Sequence, residues 1–367
     1  MTTPTESIQC KPLQVVVDGK GVERAIKHLK RKLAAEGLLR ELKKRRHYMK
    51  PSIKKRKKIA EAARRRRKRE RTIEYFHTRP LVLRHPTKLH TDIAIDARGM
   101  RLAGLRYAGR HPTPILALHG WLDNAASFEP LASLLAEHDL VAVDLPGHGK
   151  SSHRAEWESY HFVDWVAVVV DVADALGWEQ FYLMGHSMGA GIACLAAAAL
   201  PERISRLVLL DGLGPLTGPE EDAPTRLKTF LAQRAAPARP VTYADHAAAA
   251  QRLRQALPHL SAAGAERLVH RGSVVVEDGV RWSSDWRLRH ASATRWTEAQ
   301  VQAFLRCVVA PTLLIRARDG YPFDSQLLSQ RIACLKHAHY VEVPGGHHVH
   351  LDAPELVAPH VLSWLAP

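Results

Sequence analysis

Cysteine is scarce in this 367-residue chain: there are four, Cys10, Cys194, Cys307 and Cys334, and no two stand in Cys-x-x-Cys spacing. That scatter argues against a disulfide frame and against a thiolate metal site, and it favours free thiols in a reducing compartment, so neither a metal nor a cofactor is implied. Long apolar runs are missing as well. The N-terminus has no apolar signal-peptide core, and no stretch reaches the roughly 18 uncharged apolar residues that span a bilayer. Phe162 to Trp178 comes nearest, but Asp164, Asp171 and Asp174 interrupt it. The sequence therefore predicts a soluble, cytoplasmic protein with no membrane partner.

What the chain has in excess is positive charge, and that charge is confined. The formal net charge is +16, from 53 Lys+Arg against 37 Asp+Glu, yet residues 1–71 alone hold 25 of the basic and 7 of the acidic residues. The remainder is slightly acidic. Val22, Ile26, Leu29 and Leu33 fall at helical spacing before Gly37, which predicts a short amphipathic helix over 21–36 and a second from Leu38 towards Met49. Pro51 interrupts this pattern. Ser52 then opens a run, with Lys54 to Lys58 and Arg64 to Arg69, that is cationic on every face. Such a run cannot bury a core, and its like charges repel until a polyanion neutralises them.

In order, Lys11-Pro12-Leu13-Gln14-Val15, Ala25 to Lys32, Ala35 to Leu42 and Arg45-Arg46-His47-Tyr48-Met49-Lys50-Pro51-Ser52 make residues 1–75 resemble the S21 family of bacterial small-subunit ribosomal proteins. The resemblance implies a helical module that binds ribosomal RNA on the small subunit. Arg45, Arg46, Lys54, Lys55, Arg56, Lys57, Lys58, Arg64, Arg65, Arg66 and Arg67 are the candidate RNA contacts, acting mainly on phosphates. Residues 76–90, with Pro80 and Pro86, read as a linker.

From 91 to 367 the pattern changes. Ile93 and Ile95, then Leu102, Leu105 and Tyr107, suggest two strands about an Arg98-Gly99 turn. Ile115 to Leu118, Leu140 to Val143, Gln180 to Met184, Arg206 to Leu210, Thr312 to Ile315 and His339 to Val343 are short, near-continuous apolar runs separated by helical patterns. This alternation specifies an α/β fold with a mostly parallel sheet covered on both faces. Residues 213–306 break the pattern into helical pieces and a hairpin around Asp278-Gly279, which reads as a cap over the sheet's C-terminal edge, where such sheets bind ligands. Gly149-Lys150-Ser151 suggests a phosphate loop, but that loop needs glycine where Asp144 stands.

Gly185-His186-Ser187-Met188-Gly189, between an apolar strand and an Ala-rich helix, is built to expose Ser187 at a tight turn. His119-Gly120-Trp121 ends one strand, Asp144 to Ser152 follows another, and Gly346-His347 ends the last. Together these motifs resemble the α/β-hydrolase superfamily over roughly 90–367. Arg271-Gly272, Asp278-Gly279 with Trp282, Asp285 to Leu288 and Asp319-Gly320-Tyr321 look like its serine hydrolase-like group, although Trp286 stands where that group often has proline. The resemblance implies Ser187 as nucleophile, His347 as base, with His348 and His350 as bystanders, and the backbone N–H groups of Trp121 and Met188 as an oxyanion hole. Asp319 is the first choice of acid, Asp211 its rival and Asp324 a third. Serine in the nucleophile position disfavours the dehalogenase and epoxide-hydrolase branches.

The combined expectation is an rRNA-binding segment fused to a serine esterase that acts on a small acyl substrate. Two alternatives stand beside it: a structural constituent of the ribosome with a passenger or mis-joined hydrolase half, and a free hydrolase with a nonspecific basic arm.

Overall fold

Every strand expected from the apolar runs forms. In the computed structural model, residues 90–235 and 240–366 are described. The basic segment, its candidate RNA contacts and the linker up to residue 89 lie outside them.

Strands β1 (Thr91–Ala97) and β2 (Met100–Tyr107) form an antiparallel hairpin through Arg98 and Gly99. They are followed by β3 (Ile115–Leu118), β4 (Leu140–Val143), β5 (Phe181–His186) and β6 (Ile204–Leu210). After the cap come β10 (Thr312–Asp319) and β11 (Ala338–Gly346). The eight strands are ordered β1-β2-β4-β3-β5-β6-β10-β11, and from β4 to β11 every neighbouring pair is parallel. Only β2 runs the other way, antiparallel to β1 on one side and to β4 on the other.

Because side chains alternate across a strand, each run feeds two cores. Leu116 and Leu118 point into a core with helices α2 (Phe162–Ala175), α3 (Met188–Ala199) and α7 (Glu298–Cys307); Ile115 and Ala117 point into a core with α1 (Glu129–Leu134) and α10 (Pro354–Leu365). Strands covered on both faces have no polar face to show, which is why they read as unbroken apolar runs. Helix α3 is rich in Ala and Gly, eight of its 12 residues, and this brings it close to the sheet behind Ser187.

The cap carries α4 (Ala223–Arg234), α5 (His246–Ala256) and α6 (Ala262–Gly272), with β7 (Thr242–Tyr243), β8 (Ser273–Val276) and β9 (Gly279–Trp282) in a small antiparallel sheet ordered β7-β9-β8. It rests on loops that leave the C-terminal ends of β3 and β4. The Trp121 indole N–H donates to Leu288 O at 3.0 Å, Asn124 Nδ2 donates to Leu268 O at 2.9 Å, and Asp285 N–H donates to Gly147 O at 2.8 Å. Helix α8 (Ser325–Cys334) follows β10, and the short α9 (Val349–Asp352) follows β11.

Candidate active site

Three loops from the C-terminal sheet edge meet at Ser187. The serine occupies the turn between β5 and α3 with φ 52° and ψ −113°, a backbone that costs a non-glycine residue about 1–3 kcal/mol. Its neighbours hold it there: Ser187 N–H donates to Leu210 O at 3.0 Å, while its own carbonyl accepts from Ala190 at 3.0 Å and Gly191 at 3.2 Å. Neither flanking glycine has a positive φ, so neither reverses the chain. They permit close approach instead. A Cβ on Gly185 would lie 2.3 Å from the Gly189 carbonyl oxygen, and one on Gly189 2.1 Å from that of Leu118. The serine itself bears the strain.

His347 follows β11. Its Nε2 lies 2.8 Å from Ser187 Oγ and its Nδ1 2.6 Å from Asp211 Oδ2. A carboxylate only accepts, so the Nδ1 proton donates to it, and Nε2 is left to accept from the serine hydroxyl. Asp211 stands just beyond β6 at φ 46° and is 1% exposed. Its Oδ1 accepts from Ala317 N–H at 3.0 Å and lies 2.6 Å from Arg316 Nη1; Oδ2 also accepts from Tyr321 N–H at 2.7 Å. Burial opposes the charge on Asp211, but the hydrogen bonds from His347 and Tyr321, with the Arg316 guanidinium, outweigh it and hold the pKa below the ordinary 3.8.

The imidazole thus meets the rival carboxylate, Asp211, and not the first choice, Asp319. Asp319 is exposed at the end of β10, and Asp324 caps α8 by accepting from Leu327 N–H at 2.7 Å. Sheet order decides this: β6 is the direct neighbour of β5, whereas β10 lies one strand further out. The turn that holds Asp319 wraps the Asp211 carboxylate, so closely that a Cβ on Gly320 would lie 2.2 Å from Oδ2.

Of the two expected oxyanion donors, Met188 opens α3, where the first N–H groups have no acceptor within the helix. Trp121 sits in the turn after β3. His119 shapes that turn from beneath: its Nδ1–H donates to Gly120 O at 2.7 Å, and its Nε2 accepts from Leu145 N–H at 3.0 Å. Those two bonds require the neutral imidazole, and burial pushes its pKa down to about 4. Sequence reasoning missed the parts played by His119 and Arg316. Arg316 left one trace, a cation interrupting an apolar strand.

A strained serine on a strand-to-helix turn, met by loops from a parallel sheet covered on both faces, belongs to a known class. Residues 113–354 match the family described as alpha/beta hydrolase fold, and the chain is a member of it. Within that class it belongs with the serine hydrolase-like proteins. It is 34% identical to Serine hydrolase-like protein of Danio rerio over 279 residues, covering 72% of this chain and 85% of that protein. It is 35% identical to Serine hydrolase-like protein 2 of Homo sapiens over 274 residues, covering 69% and 86%. Among solved structures, a hypothetical protein of Pseudomonas aeruginosa PAO1 is 39% identical with a TM-score of 0.71, covering 75% of this chain and 99% of that one. A thioesterase domain from the curacin biosynthetic pathway is 29% identical with a TM-score of 0.68, covering 74% and 99%. Residues 14–67 match the family described as ribosomal protein S21. Among the described residues, no helix is long and apolar enough to cross a membrane.

Proposed function

We propose that this chain hydrolyses carboxylic esters or closely related acyl bonds, with Ser187 as nucleophile, His347 as general base and then acid, and Asp211 as the carboxylate that orients the imidazole. One observation carries this reading: the continuous line from Asp211 Oδ2 through His347, at 2.6 Å, to Ser187 Oγ, at 2.8 Å. A serine hydroxyl is a poor nucleophile until a base takes its proton, and an imidazolium is stable in a buried site only beside a fixed negative charge.

Ser187 Oγ attacks the acyl carbonyl as its proton passes to His347 Nε2. The resulting oxyanion accepts from the Trp121 and Met188 backbone N–H groups, each such donor being worth about 3 kcal/mol in the transition state. Collapse expels the alcohol, which takes the proton back from His347. Water then repeats the sequence and frees the acid and the serine. The thioesterase domain among the similar structures supports an acyl substrate.

The segment matched over 14–67 supplies the second half of the reading, docking on small-subunit rRNA through Lys and Arg contacts to phosphates, which makes the cytoplasm the site of action. Purified chain is expected to turn over a short p-nitrophenyl ester and to be labelled by a fluorophosphonate. Ser187→Ala is expected to lose both, and an unchanged rate in that variant ends the catalytic reading. Co-sedimentation with purified small subunits tests the docking. Binding without subunit preference, declining steadily with salt, would leave only a nonspecific basic arm.

A further inference from the structure

Three of the loops around the site, those carrying Trp121, Ser187 and His347, each send a second residue into one buried cluster. Asp123 comes two positions after Trp121, His186 directly before Ser187 and His348 directly after His347, and all three are buried. His348 Nε2 lies 3.3 and 3.2 Å from the two Asp123 oxygens, and His186 Nδ1 lies 3.5 Å from Asp123 Oδ2. One ligand-capable atom from each residue falls within 4.8 Å of the others.

The hydrogen bonding of this cluster is incomplete. His186 Nε2 lies 2.9 Å from the backbone oxygen of His347, and a carbonyl only accepts, so the proton of the neutral imidazole is on Nε2. The lone pair of Nδ1 then faces the Asp123 carboxylate, acceptor against acceptor, and that nitrogen has no hydrogen-bond partner. His350 packs its ring 4.2 Å from that of His186; it is fully buried, and neither of its ring nitrogens has a hydrogen-bond partner. Buried polar atoms without partners are rare and costly.

We propose that Asp123, His186 and His348 form a site for one divalent transition-metal ion of the zinc class, which ties together the loops carrying Trp121, Ser187 and His347. Two imidazole nitrogens and one carboxylate oxygen suit zinc or cobalt rather than magnesium or calcium. With bonds of about 2.0–2.1 Å, ligand atoms around a tetrahedral ion stand roughly 3.3 Å apart. Two of the separations here, 3.2 and 3.5 Å, already match. The ion takes the place of the proton between His348 and Asp123 and removes the clash of lone pairs at His186. The His186 bond to the His347 carbonyl is then the outer hydrogen bond that fixes a ligating histidine's tautomer.

The test uses the full chain produced in zinc-supplemented medium, so that the ion can enter as the loops fold, followed by removal of loosely held metal and elemental analysis. The wild type is expected to carry one zinc more per chain than Asp123→Asn or His348→Gln, and Ser187→Ala is expected to keep it. Cobalt-loaded wild type is expected to show the visible d–d bands of a low-coordinate site, absent from both ligand variants. Circular dichroism establishes which variants fold, and either one suffices. Equal metal in the wild type and a folded ligand variant, or cobalt-loaded wild type without d–d bands, overturns the proposal. Ester turnover is not the readout, so this site and the proposed hydrolase stand or fall separately.

Discussion

Asp144 and Asp211 start alike and end differently. Each follows the last residue of a parallel strand, each is at most 1% exposed, and each lies against a guanidinium. Around Asp144 every acceptor position meets a fixed donor. Ala125 N–H donates to Oδ1 at 2.7 Å, Lys150 N–H to Oδ2 at 2.9 Å, and Arg271 Nε reaches both oxygens at 3.1 and 3.0 Å. Arg271 is buried and reaches on to Asp92 at 2.9 Å. Asp211 has two backbone donors and an arginine as well, but its remaining donor is an imidazole 24% exposed that touches a serine on its far side. Burial and charge pairing alone thus make a rivet that joins loops. A carboxylate takes part in chemistry when one of its partners can carry a proton outward.

Asparagine in each position separates the two. Asp211→Asn is expected to lower kcat/KM of the folded chains for ester hydrolysis by about 10⁴-fold, since removing the orienting carboxylate leaves the wrong histidine tautomer facing the serine, and to lower stability as well, because the buried Arg316 guanidinium loses its carboxylate. Asp144→Asn is expected to leave the kinetics of the folded enzyme nearly unchanged but to lower its stability by about 3 kcal/mol, because Arg271 is left buried with only Asp92 opposite it. Ester kinetics and urea unfolding on the same samples check both. Full activity in the first variant, or collapsed activity at native stability in the second, erases the distinction.

The sheet and the serine turn were legible in the sequence because local rules govern them. Leu140 to Val143, apolar throughout, too short for a helix and bounded by Asp139 and Asp144, reads as a strand buried on both faces, and Ser187 between Gly185 and Gly189 reads as a tight turn. Which carboxylate meets His347 was not legible. Asp211-Gly212 and Asp319-Gly320 both read as strand-end turns, and the order β5-β6-β10, which makes one adjacent to Ser187 and the other remote, is a tertiary fact. The two-residue strand β7 has no period to detect. The Asp123, His186 and His348 cluster is assembled from loops far apart in the chain, with no spacing to announce it.

Acid gives a further way to compare rivet and relay. His119 and His148 are fully buried beside the Asp144 loop, with ring centroids 4.9 Å apart, and burial lowers their pKa values to about 4 and about 3. His119 faces Asp123, His186 and Arg271, and His148 faces Asp144 and Asp123. Below about pH 6.5 the unfolded chain binds protons that the folded chain refuses, so stability is highest above that value and falls as pH drops. Between roughly pH 6 and 5 the two histidines together are expected to remove about 2 kcal/mol. Asp211, with its depressed pKa, loses its contribution only further down, as pH falls from about 3.8 through its folded value. Urea midpoints measured across this range should therefore decline before the carboxylates begin to titrate, and a flat profile from pH 6.5 to 5 would contradict the burial of neutral imidazoles.

The smallest expected effect is the one most specific to the choice between strand ends. Asp319→Asn changes the charge of an exposed residue whose turn supplies the Tyr321 N–H to Asp211 through its backbone, not its side chain. Surface changes of this kind shift stability by no more than about 0.5 kcal/mol. kcat/KM is expected to stay within about twofold of wild type, since a change of roughly 0.4 kcal/mol in the barrier is all that twofold requires. If Asp319→Asn instead matched Asp211→Asn in its loss, the imidazole would have to exchange between two carboxylates during turnover, and the single line drawn from Asp211 to Ser187 would describe only one of its states.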